Sequence, residues 1–139
     1  MSPDMEYIVD QAKAVLAIDS PTSYTKAAAS YVLEEYRRLG FRPEMTAKGG
    51  VLVCLNPEAP EEDSLLLMAH LATLGAMVAE IGGDGRLRLT NLGGMNPNSA
   101  EAENVRVVTR SGKVYTGTCQ LKSASVHVNG DYSTAKRTW

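Results

Sequence analysis

An α/β layer followed by a run of short antiparallel strands is the fold class that the 139-residue sequence predicts. Three observations carry it. Two segments with helical apolar spacing open the chain, and a wholly apolar run, Leu65-Leu66-Leu67-Met68-Ala69, follows them. After Gly75, period-two alternation and glycine turns replace the helical pattern altogether.

Each element follows in order. Ile8, Val9, Ala12, Val15 and Leu16 fall on one helical stripe, predicting a helix over residues 5–18 with Asp4 as its N-cap. Asp19-Ser20-Pro21-Thr22-Ser23 ends it, because the residue before a proline is disfavoured in the helical region. A second helix is expected over residues 25–39, with Ala28, Tyr31, Val32, Glu35 and Leu39 on a mixed face and Gly40 as its stop. Arg37 and Arg38 in its last turn suit the helix dipole.

Residues 41–47 and 51–55, joined through Gly49-Gly50, read as a hairpin or a pair of neighbouring strands. Residues 56–63, with Glu61, Glu62 and Asp63, read as a solvated acidic loop. Residues 64–70 are expected to be a strand buried on both faces of a sheet, because no polar residue alternates with the apolar ones. A hairpin over residues 76–90 turns on Gly82-Gly83-Asp84-Gly85, and Leu92 to Pro97 is a loop. A second hairpin spans residues 105–121 around Ser111-Gly112, and residues 125–129 alternate as a strand or edge would. Short antiparallel strands of this kind predict a small barrel or sandwich. A domain boundary is expected between residues 74 and 76, dividing the chain into 1–75 and 76–139.

Composition narrows the function classes. Hydrophobic residues make up 44% and charged residues 22%, as in soluble globular proteins, and the formal net charge is -2 with no basic run. Neither nucleic acid nor an anionic membrane surface is an expected partner. The N-terminus lacks the apolar core of a signal peptide, and the apolar run is too short to span a bilayer. Cys54 and Cys119 have no CxxC spacing, so two free buried thiols in a cytoplasmic protein are expected.

One residue invites chemistry. His70 stands at what should be the C-terminal end of the apolar strand, the edge at which open α/β sheets bind ligands. A neutral imidazole there could ligate a metal, or could simply hydrogen-bond to backbone. A lone histidine is a weak metal signal, so the residues alone favour the second reading. Position 72 projects to the same side, and a carboxylate there could orient the ring, but the residue is Ala72. His127 has no second ligand at useful spacing, Gly82-Gly83-Asp84-Gly85 opens no helix, and Ser20 and Ser23 have no nearby histidine to activate them.

The stretch from Leu65 through Ala69-His70-Leu71-Ala72 to Gly75-Ala76-Met77-Val78 resembles the metal-site strand of the tetrahedral, or TET-type, aminopeptidases. This two-metal family includes glutamyl aminopeptidases and proteins once mislabelled as endoglucanases. Ser20-Pro21-Thr22-Ser23, Leu92-Gly93-Gly94 and residues 126–138 match it as well, so the resemblance covers essentially the whole chain. It implies an α/β metallopeptidase domain, here partial, followed by an incomplete β-barrel-like dimerisation domain inserted after the strand. It implies peptides as substrates, a homo-oligomer, and two divalent metal ions, zinc or cobalt, with His70 as one ligand. The family's remaining ligands and its glutamate base match no residue here. Ala72 stands where the family has a supporting aspartate. The resemblance therefore implies the front part of an aminopeptidase with no catalytic residue of its own, inactive alone and not holding both metals. The alternative is a non-catalytic, β-rich self-association module.

Overall fold

A computed structural model describes residues 2–60, 62, 64–121 and 123–137. Glu61 and Asp63 of the expected acidic loop, and Thr138 and Trp139 at the chain end, lie outside the described residues. The chain divides into two compact units, Met1–Gly75 and Ala76–Trp139.

The first unit is built on two helices. Helix α1, Pro3–Leu16, is capped by Ser2, whose hydroxyl accepts from the Met5 backbone N–H at 3.3 Å. Pro3 at its start needs no N–H partner, and Asp4 sits inside the first turn rather than capping it. The N-cap is therefore two residues earlier than the sequence suggested. Helix α2, Lys26–Arg38, ends before Gly40, whose φ of +90° supplies the left-handed residue that stops a helix. Ala28, Ala29 and Leu33 are its buried residues, so the inward face is centred one position away from the stripe through Tyr31 and Val32.

Two side-chain bridges join the helices. The Tyr7 hydroxyl donates to Glu35 at 2.7 Å, and the Tyr31 hydroxyl donates to Gln11 at 2.9 Å. Beyond them, strands β1 (Glu44–Met45) and β2 (Val51–Leu52) pair antiparallel around a turn that includes Gly49 at φ +81°.

The apolar run takes a different form from the expected buried strand. Residues 64–70 have no regular secondary structure, and Leu65, Leu66, Leu67 and Met68 are 67–86% exposed. A strand that is apolar on both faces needs a neighbour on each edge and a layer over each face. Among the described residues only three separate two-stranded sheets occur, and none includes this run.

The second unit holds the other two sheets. Strands β3 (Gly75–Ile81) and β4 (Leu87–Leu92) are hydrogen-bonded neighbours, tied across by an Arg88–Glu80 ion pair at 2.6 Å. Their turn closes where the Gly82 N–H donates to the Arg86 carbonyl at 2.8 Å. A one-turn helix, α3 (Pro97–Ala100), interrupts the loop after β4; the Asn96 side chain caps it by accepting from the Asn98 N–H at 3.0 Å. Strands β5 (Asn104–Val108) and β6 (Val114–Thr118) pair antiparallel, with Val107 opposite Tyr115.

No closed barrel forms among the described residues, whose architecture is a mixture of helices and short paired strands. Residues 125–129 fold as a turn, not the expected strand. The Ser125 hydroxyl accepts from the His127 N–H at 3.2 Å, and the Ser125 carbonyl accepts from Val128 and Asn129 at 3.1 and 2.8 Å. A serine that satisfies three consecutive N–H groups locally removes them from any ladder.

Candidate functional site

The geometry around His70 begins with the loop between the helices. Ser20 is 1% exposed, and its hydroxyl donates to the Leu71 carbonyl at 2.7 Å. The Thr73 N–H donates to the Ser20 carbonyl at 2.9 Å, the Ser20 N–H reaches the Thr73 hydroxyl at 3.4 Å, and Pro21 and Thr73 form an isolated parallel bridge. Gly75 passes so close to Pro21 that a Cβ on it would stand 2.5 Å from the Pro21 Cβ. Residues 71–75 are thus held from both ends of a short clamp.

The sequence reading places Ser20 in the helix break and finds no histidine to activate it, but it does not reveal this clamping role. The signal was present, since Ser20-Pro21 is where the first helix breaks and a serine hydroxyl readily bonds to backbone.

His70 stands just outside the clamp and is exposed, with Nδ1 2.9 Å from the Ala72 carbonyl oxygen. A carbonyl only accepts, so Nδ1 carries the proton and, in the neutral ring, Nε2 keeps the lone pair. Ala72 has no carboxylate, yet its backbone oxygen is the group that orients the ring.

His127 lies exposed in the second unit. The two thiols are not buried as expected: Cys54 is exposed and Cys119 half-buried. Among the described residues no three His, Cys, Asp or Glu side chains stand where they could hold a metal ion together. The donor set therefore does not fit a two-metal centre, and no metal-dependent step follows from this geometry. A hollow of about 690 Å³ in the second unit is lined by Asn96, Asn98, Glu101 and Arg137 among others, and contains neither histidine.

The strongest electrostatic features bind elements to one another. Arg38 donates to Glu35 through Nε at 2.9 Å, and with Tyr7 it holds the Glu35 carboxyl down to about 2. The hydrogen bond to Glu35 in turn raises the Tyr7 phenol above its ordinary value. In the second unit Arg137 donates to Glu101 at 2.7 Å and to the carbonyls of Tyr132 and Ala135 at 2.9 and 2.6 Å. The Arg137 contact holds the Glu101 carboxyl below the usual range. Among the described residues no helix is long and apolar enough to cross a membrane.

Residues 49–139 match the sequence pattern of the M42 glutamyl aminopeptidase family. The chain is similar to the protein named Putative aminopeptidase YhfE of Bacillus subtilis (strain 168), at 38% identity over 90% of this chain and 36% of that protein. It is also similar to Glutamyl aminopeptidase of Lactococcus lactis subsp. cremoris (strain MG1363), at 28% identity over 76% of this chain and 30% of that protein. It thus spans about a third of the length of these curated relatives. With the family pattern running through His70, both later hairpins and the clamp residues Leu71, Thr73 and Gly75, the chain belongs to the M42 glutamyl aminopeptidase family.

Proposed function

We propose that this chain is the N-terminal part of a metal-dependent aminopeptidase and that the 139 residues alone do not hydrolyse peptides. The single observation that carries the reading is the exposed run Leu65-Leu66-Leu67-Met68, a sequence suited to a central strand, standing without a sheet. Family membership supports it. In the complete assembly residues 1–75 contribute part of the α/β peptidase domain, residues 76–139 contribute part of an inserted dimerisation domain, and peptides are the substrates.

His70 is then one ligand of a divalent metal, zinc or cobalt, through the Nε2 that its bond to Ala72 leaves unprotonated.

The test is hydrolysis of aminoacyl p-nitroanilides, glutamyl included, with added zinc or cobalt. The chain alone is expected to give no turnover above the metal blank, and turnover at the rate of an intact enzyme overturns the reading. Mixing with a separately produced remainder of a related aminopeptidase is expected to restore activity. A stoichiometric complex without activity would sink the proposal that these residues complete a working site.

A second reading, a non-catalytic self-association module, is favoured by one specific observation. Among the described residues strands β5 and β6 form a two-stranded sheet, and Val105, Val108, Val114 and Tyr115 on it are exposed.

A further inference from the structure

We propose that Asn129 is a self-modification site, at which the backbone nitrogen of Gly130 displaces the side-chain amide of Asn129 and leaves aspartate or isoaspartate in its place. The site involves neither His70 nor the clamp, so the inference does not depend on the aminopeptidase reading.

The chemistry needs an asparagine amide, a following nitrogen that carries a hydrogen and is free to attack, and open space around it. Of the six asparagines, Asn56 and Asn96 precede prolines, whose nitrogens have no hydrogen to lose. Asn98 precedes Ser99, whose N–H is held by the Asn96 carbonyl at 3.0 Å. Asn91 lies inside β4 and Asn104 opens β5, each followed by a bulky residue in a paired strand. Asn129 alone is followed by glycine, which has no side chain to block the approach. Gly130 is exposed, a Cβ on it would meet nothing within 4 Å, and its N–H donates to no group among the described residues. The Asn129 side-chain amide has no hydrogen-bond partner among them either. Asp84-Gly85 offers the same spacing in a closed form. There the Gly85 N–H donates to the Gly82 carbonyl at 3.0 Å, and Arg86 holds both Asp84 oxygens at 3.1 and 3.0 Å.

The Gly130 nitrogen gives its proton to water or hydroxide and forms a bond to Asn129 Cγ. The Cγ–Nδ2 bond breaks, and the amide nitrogen takes up a proton and leaves as ammonia. Water then opens the cyclic imide. Opening at the side-chain carbonyl leaves aspartate, and opening at the main-chain carbonyl leaves isoaspartate, in which the chain runs on through the side chain. Nothing is oxidised or reduced, and the formal charge of -2 gains one negative charge. The Asn129 carbonyl accepts from the Tyr132 N–H at 3.0 Å, and the Tyr132 hydroxyl donates to Glu101 at 3.0 Å. Isoaspartate turns that carbonyl into a branching carboxylate close in the chain to Asp131 and adds one carbon to the main chain before Gly130, so the turn loosens.

Ageing the full 139-residue chain in warm, mildly alkaline buffer, then trypsin digestion and mass spectrometry, tests this. Cleavage after Lys122 and Lys136 isolates residues 123–136, which contain no other asparagine. That peptide is expected to show the mass of an amide exchanged for an acid and to accept methyl groups from a protein isoaspartyl methyltransferase. It should do so in larger amount than all other asparagine peptides together. Gly130→Ala should keep the fold, since the added Cβ meets no neighbour, and slow the reaction to the level of the other asparagines. Hydrogen exchange at the Tyr132 amide should be faster in the modified chain. An Asn129 that stays intact while other asparagines react, or a rate that Gly130→Ala leaves unchanged, overturns the site. Unchanged exchange at Tyr132 in the modified chain overturns the loosening of the turn.

Discussion

The buried hydroxyl of Ser20 donates to the carbonyl of Leu71 at 2.7 Å across a sequence separation of 51 residues. This contact, together with the Thr73 N–H on the Ser20 carbonyl, fastens the interhelical loop to the segment that follows His70. His70 itself is exposed, and the clamp begins at the residue that follows it. A serine with no histidine to activate it as a nucleophile is a fastening.

Ser20→Ala should lower the stability of the first unit by about 1–3 kcal/mol, because it leaves the Leu71 carbonyl without its buried donor. Urea denaturation followed by circular dichroism measures the loss. Hydrogen exchange at the Thr73 amide should accelerate in the same variant. Unchanged exchange would show that the loop is held by other contacts.

Gly75→Ala should destabilise the same clamp by a different route. The new Cβ would meet the Pro21 Cβ at 2.5 Å, a distance that forces either the ring or the backbone to move. Overpacking of this kind costs roughly 1–3 kcal/mol. A thermal melt within a degree of wild type would mean that the segment after Thr73 relaxes freely.

Glu35 makes the helix pair sensitive to acid. Arg38 first, and Tyr7 second, hold its carboxyl at about 2 in the folded chain, below the ordinary value of 4.5. A carboxylate lowered by folding stabilises fully above its unfolded value, and that contribution is lost as the pH falls through the folded one. The helix pair should therefore weaken between about pH 4.5 and pH 2. Glu35→Gln should flatten this part of the stability profile and lower stability at neutral pH. An identical acid profile in the variant would move the sensitivity to another carboxylate.

Arg137 fastens the last described turn of the second unit through Glu101 and two carbonyls. Arg137→Ala should speed exchange at the Thr134 and Ala135 amides, which donate to Asp131. Exchange across β5 and β6 should stay unchanged. Because the Glu101 carboxyl is held below the usual range by Arg137, the turn should also loosen on acidification below its unfolded value, and Arg137→Ala should remove that dependence.

Much of this architecture is legible in the residues. The apolar spacing of Ile8, Val9, Ala12, Val15 and Leu16 and the stop at Gly40 mark the two helices, and Gly82-Gly83-Asp84-Gly85 and Ser111-Gly112 mark the later turns. These features are local: a helix stripe, a left-handed glycine and a tight turn are set by residues close in the chain. The resemblance around His70 and the family to which the chain belongs were readable for the same reason, as they rest on a contiguous motif.

What only the tertiary structure decided depends on partners distant in sequence. Residues 64–70 have the composition of a buried strand and are exposed, because composition cannot supply the neighbouring strands that bury one. Residues 125–129 alternate like a strand and fold as a turn, because Ser125 takes their N–H groups first. Ser20 meets Leu71 and Thr73, and the His70 ring meets a backbone oxygen where a carboxylate was sought, through contacts that no periodicity records. Local hydrogen-bonding chemistry determines the elements, while burial and pairing are properties of whatever the rest of the chain brings to them.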